Sequence, residues 1–142
     1  MILYIDTAAL VPLLIEEPAS HACGELWDGA DAIVGTRLAY IEAAAALAQA
    51  QRMGRISARQ SRGSRVILDE LWPVVDVIEL DQELMSGAAG LATVHGLRGY
   101  DATHCAAAVA VNDAELVAAS GDGRLLQAWQ AEGVAVRDLN AT

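Results

Sequence analysis

Segments patterned like strands and segments patterned like helices alternate along this 142-residue chain. That alternation constrains the fold more than any other feature, because it asks for helical crossovers between parallel strands. ILYID reads as a strand, and TAALVPLLIEE as a helix with Pro12 in or near its first turn. Pro18 ends that unit; ASHACGELWDGA reads as a second helix and AIVGT as a short strand. RLAYIEAAAALAQAQRMG is an Ala-rich helix closed by Gly54. SARQSRGSRVILDELW is a helix weakened by Gly63 and stopped by Pro73, before the strand VVDVIEL. DQELMSGAAGLATVHGLRG is helical, with three internal glycines that put its regularity in question. YDATHCAAAVAVND is a clearer helix, ELVAAS a strand, GDGRLLQAWQAEG a helix and VAVRDL a last strand. No Gly/Ser/Pro-rich linker and no internal repeat divides the chain, so one α/β domain over residues 1–142 is expected.

The first strand poses the functional question. Ile2, Leu3, Tyr4 and Ile5 form an unbroken apolar run that suits a strand covered on both faces. It ends in Asp6, which is costly to bury unless paired, hydrogen-bonded or bound to metal. Asp6 or Thr7 could simply cap the following helix. In open parallel sheets, however, ligands bind beyond the carboxyl ends of the strands, where Asp6 is expected to lie.

Three other carboxylates are equally out of place. Glu42 is the one acid in the apolar stretch RLAYIEAAAAL, Asp101 opens YDATHCAAAVAV, and Asp122 follows ELVAAS in the turn SGDGRLL. Singly, each reads as a solvated or helix-capping acid. Together they place two acids at strand ends and two on apolar helices that must face the sheet. Carboxylates converging on one cleft repel one another, and a divalent cation relieves that repulsion. An all-oxygen donor set suits Mg²⁺ or Mn²⁺ rather than zinc. Such a site can activate water and neutralise phosphodiester oxygens. Thr7 and Ser120 lie beside candidate acids and could support them or their bound water.

Bulk properties narrow the rest. The net charge of −10 argues against broad, non-specific nucleic-acid binding. The chain has no lysine, and five of its nine cations fall in QRMGRISARQSRGSR as Arg52, Arg55, Arg59, Arg62 and Arg65. That stretch is either a phosphate-contacting patch or a solvated helix face. No apolar run reaches transmembrane length and no leader pattern is read, so no membrane association and a cytoplasmic location are expected. Cys23 and Cys105 lack metal-finger spacing and read as buried free thiols.

In YIDTAAL, TRLAYIEAAAAL, LRGYDATHCAAAV and LVAASGDGRLLQAW, taken in this order and spacing, the chain resembles the PIN-domain ribonucleases, and among them the VapC toxins of VapBC toxin–antitoxin pairs. The resemblance spans essentially the whole sequence. It implies a PIN-like α/β fold with a five-stranded parallel sheet and helices on both faces. It implies Mg²⁺- or Mn²⁺-dependent cleavage of structured RNA, such as tRNA or ribosomal RNA. Asp6, Glu42, Asp101 and Asp122 would be the catalytic, metal-holding acids, with Thr7 and Ser120 in support. A homodimer and a cognate VapB-type antitoxin are the implied partners. Ser120 departs from the family's more usual Thr, and glycines flank Asp122 where a basic residue often follows.

Other readings are weaker or differ in class. A receiver domain needs a lysine, and a haloacid-dehalogenase-type phosphatase needs a second Asp where Ala8 stands. Neither a GxxxxGK[ST] loop nor a GxGxxG turn is present. The alternative from another class is a PIN-fold RNA- or protein-binding module that does not cut RNA. His104, one helical turn after Asp101, reads chiefly as a packing or helix-surface residue. Trp27, Trp72 and Trp129 read as core or interface. Arg37, Arg98 and Arg124 could contact phosphate or pair with a carboxylate. The apolar surplus across residues 37–72 suggests a dimer or antitoxin interface.

Overall fold

The computed structural model describes residues 1–141, so Thr142, the last residue of the expected domain, lies outside the described residues. Five parallel strands form one sheet in the order β3-β2-β1-β4-β5. They are β1 (Ile2–Ile5), β2 (Ala32–Thr36), β3 (Val75–Ile78), β4 (Leu116–Ser120) and β5 (Ala135–Asp138). The helices are α1 (Thr7–Leu10), α2 (Ser20–Gly29), α3 (Arg37–Arg52), α4 (Ala58–Leu71), α5 (Gln82–His95), α6 (Gly99–Ala110) and α7 (Gly123–Ala131).

β1 is the central strand, and both of its faces are covered. Leu3 and Ile5 join a core with Leu10, Leu14, Leu47 and Leu68 on the α1–α4 side. Tyr4 joins the opposite core with Leu84, Cys105, Leu125 and Trp129 on the α5–α7 side. This explains the unbroken apolar run, since alternate residues of a two-sided strand all face a core. α6 is buried over Ala102–Ala108, which accounts for its small residues.

The helix expected over TAALVPLLIEE is shorter and broken. α1 ends at Leu10 and the chain tightens into a 3-10 turn over Val11–Leu13, with Pro12 inside it. Pro12 lies past the first turn of α1 and has no N–H to continue the α-helical ladder, so the helix stops ahead of it. The glycines of α5 do not interrupt it; the helix is continuous and ends at Gly96, in the left-handed conformation (φ 64°). Only glycine takes that conformation without strain, and this turn swings the chain into α6.

The strand order carries the main functional consequence. From β1 the chain moves to β2 on one side, and β4 returns on the other. The crevice beyond the carboxyl ends of β1 and β4 is therefore a topological switch point. Register pairing of Ile5 with Ala119 brings Asp6 and Ser120 side by side at its floor.

A candidate acidic site at the switch point

Asp6 follows the last residue of β1 and is 5% exposed. Its Oδ1 accepts from the Ala9 amide at 3.1 Å, so it does cap α1. Its Oδ2 accepts from the Ser120 hydroxyl at 2.6 Å, across the switch point. Capping and site placement are therefore one and the same. Burial pushes the Asp6 carboxyl up to about 6; the nearby His104, the Ser120 hydroxyl and the Ala9 amide act against that rise. Ser120 Oγ in turn accepts the Asp122 amide at 3.0 Å, so the SGD segment is both a turn and a support for Asp6.

Asp122 caps α7, with Oδ1 accepting from the amides of Arg124 and Leu125 at 3.0 and 3.4 Å. Asp101 sits in the first turn of α6, with Arg98 Nε 3.6 Å from its carboxylate. Burial raises the Asp101 carboxyl, and the Asp122 carboxylate adds to the rise; Arg98 and His104 oppose it. Gly96, Leu97, Arg98, Asp101, Asp122 and Arg124 line one cleft of about 310 Å³. Arg98 and Arg124 thus flank an acidic pair, whereas Arg37 is paired with Glu79 on the exposed surface.

Glu42 projects from α3 towards the same end of the sheet. Its Oε1 accepts from Thr7 Oγ1 at 2.8 Å and is bonded to His104 Nε2 at 2.9 Å. Burial raises the Glu42 carboxyl, but the bonds from His104 and Thr7 outweigh it and hold the group below its ordinary value. Glu42 is thus held as a carboxylate.

His104 is the packing residue that the sequence allowed rather than a helix-surface one, and it is hydrogen-bonded as well as packed. It is 3% exposed, turned inward, and joins Glu42 to the Tyr4 hydroxyl, which lies 2.9 Å from Nδ1. Its spacing from Asp101 was the available signal, since a residue three positions on shares that face of the helix. Thr36, which closes β2, is fully buried, and its hydroxyl has no hydrogen-bond partner among the described residues.

The donor chemistry fits a hard divalent cation. The acids offer oxygen ligands, two of them with raised pKa, and the one histidine present is committed to Glu42. The set is not closed up: among the described residues, no three His, Cys, Asp or Glu side chains stand together so as to hold a metal ion.

Fold and site together define a parallel α/β domain with an acidic cleft at its switch point. The PIN domain profile matches residues 3–128, and the chain belongs to the PIN-domain family. It is 38% identical to Ribonuclease VapC45 of Mycobacterium tuberculosis (strain CDC 1551 / Oshkosh) over 135 residues, 95% of this chain and 94% of that one. The same identity and coverage hold for Ribonuclease VapC49 of Mycobacterium tuberculosis (strain ATCC 25618 / H37Rv). Among solved structures, FitAcB from Neisseria gonorrhoeae shares the fold with a TM-score of 0.71 at 18% identity, covering 98% of both chains. VapBC2 from Rickettsia felis, bound to a DNA fragment from their promoter, gives 0.68 at 12% identity over 97% of this chain and 98% of that one.

Proposed function

We propose that the chain is a VapC-type toxin, a divalent-metal-dependent endoribonuclease that cleaves structured RNA such as tRNA or ribosomal RNA. The observation that carries this reading is Asp6, a buried carboxylate at the switch point whose pKa is lifted to about 6. A perturbed, buried acid within electrostatic reach of another candidate acid, here Glu42, is a functional-site signature. The 38% identity to two ribonucleases over nearly the whole chain supports the reaction class.

Asp6, Glu42, Asp101 and Asp122 would hold Mg²⁺ or Mn²⁺, directly or through water. The ion supplies a more acidic water and positive charge for the phosphodiester oxygens. Thr7 orients Glu42, and Ser120 orients Asp6 while fixing the Asp122 turn. Arg98 and Arg124 offer the approaching backbone a positive rim on an otherwise acidic protein.

The partners in this reading are a second copy of the chain and a VapB-type antitoxin. Neighbours of the same fold include VapBC and FitAB assemblies, one of them VapBC2 on promoter DNA. Exposed apolar side chains on α3, α4 and the connections after them supply a surface for such contacts: Ile41, Met53, Val66, Ile67 and Val74. Among the described residues no helix is long and apolar enough to cross a membrane.

The second reading, a PIN-fold binding module, is favoured by the open spacing of the acids. Purified protein incubated with total RNA separates the two. Discrete fragments that need Mg²⁺ or Mn²⁺, and vanish with EDTA or in an Asp6→Asn, Asp101→Asn double variant, are expected. RNA bound but left intact by the wild type, including intact ribosomes and individual tRNAs, would favour the binding module.

A further inference from the structure

The four candidate acids reside on four separate pieces of the fold: the end of β1, α3, α6 and the start of α7. One buried network ties the same pieces together. Tyr4 of β1 lies 2.9 Å from His104 Nδ1, and His104 Nε2 lies 2.9 Å from Glu42 Oε1. Trp129 of α7 donates its indole N–H to the His104 carbonyl at 3.3 Å. The Tyr4 ring meets Trp129 edge-on, with centroids 5.6 Å apart. Tyr4, His104 and Trp129 are all buried, so the bonds among them are shielded from bulk water, while Glu42 is partly exposed.

The hydrogen positions follow from chemistry. The Glu42 carboxylate can only accept, so His104 Nε2 carries a proton towards it, and the Tyr4 hydroxyl is bonded to Nδ1 on the other side of the ring. Oε1 of Glu42 is thereby engaged by both His104 and Thr7, while Oε2 has no partner among the described residues. We propose that His104 is a positioning residue, braced by Tyr4, that pins Glu42 through Oε1 so that Oε2 is the atom presented to a cation. Hydrogen bonds behind ligating carboxylates set their orientation and the strength with which they hold metal. This inference rests on the reading of Glu42 as a metal-holding group.

The test is Mn²⁺ affinity, measured by calorimetry on the full-length protein. His104→Leu is expected to weaken binding about tenfold or more. Tyr4→Phe, which removes one hydroxyl and keeps the ring in the core, is expected to weaken it about fivefold. His104→Gln, which keeps an N–H near the Nε2 position, should recover part of the loss. The deciding measurement repeats Tyr4→Phe and His104→Leu in a Glu42→Gln background. If they act through Glu42, neither causes a further loss there; equal losses in both backgrounds would mean a general structural role and would overturn the inference. Tyr4→Phe keeps the comparison usable if His104→Leu does not fold. Wild-type protein that binds no Mn²⁺ overturns the metal-site reading and this inference with it. Mn²⁺ binding that is insensitive to both substitutions overturns the inference alone.

Discussion

Asp6 is charged where the fold would rather it were neutral, and that conflict can be measured. Its folded pKa of about 6 exceeds the unfolded value, so the native state binds the extra proton between roughly pH 4 and 6. More protons on the folded side means that stability falls as pH rises through that window. Above it the full cost is felt, on the order of 3 kcal/mol. In EDTA at pH 7.5, Asp6→Asn should therefore unfold at higher denaturant than wild type, by about 1–3 kcal/mol. Near pH 4 the gain should disappear, because wild-type Asp6 is then protonated. An Asn variant that is less stable at both pH values would show that the Ser120 and Ala9 hydrogen bonds outweigh the burial of charge. On the proposed reading, function and stability would pull in opposite directions at this residue, as is common where a site is built for a ligand.

At the scale of elements, the helices divide into those that carry acids and those that only cover the sheet. α4 belongs to the second kind. Ser57 and Gln60 form a reciprocal cap at its start, with bonds of 3.0 and 2.7 Å. Ser57→Ala should cost about 1 kcal/mol in thermal or denaturant unfolding and leave RNA cleavage per folded molecule unchanged. The alternation of apolar periods made the parallel sheet legible from the sequence, and the odd acids at strand ends made Asp6 and Asp122 legible. The break in α1 was not, because a proline's effect depends on where the helix starts, and that start is set by the Asp6 cap. The inward turn of His104 was hidden for a different reason. Its partners, Tyr4 and Glu42, are 100 and 62 residues away in sequence, and only the packing of α6 against β1 and α3 brings them together. The basic stretch is only partly free: Arg55 lies 3.6 Å from Glu17, and Arg65 reaches Asp69 and Tyr40.

At the scale of the whole molecule, the exposed apolar side chains of α3 and α4 lie outside both cores. Wild-type protein should sediment well above its 14.9 kDa chain mass, as a dimer. Ile41→Asp with Val66→Asp, both at positions more than half exposed, should leave the far-ultraviolet spectrum intact and shift sedimentation towards the monomer. Unchanged sedimentation would place the contact elsewhere. The strand order has a consequence of a different kind. The site joins residue 6 to residues 120 and 122, because β4 completes the sheet beside β1. A chain still being synthesised carries Asp6 from the outset, but it has no partner for it until most of the sequence has been made. On the proposed reading, the site would be assembled only once β4 has been made, and a nascent chain would be inactive until then.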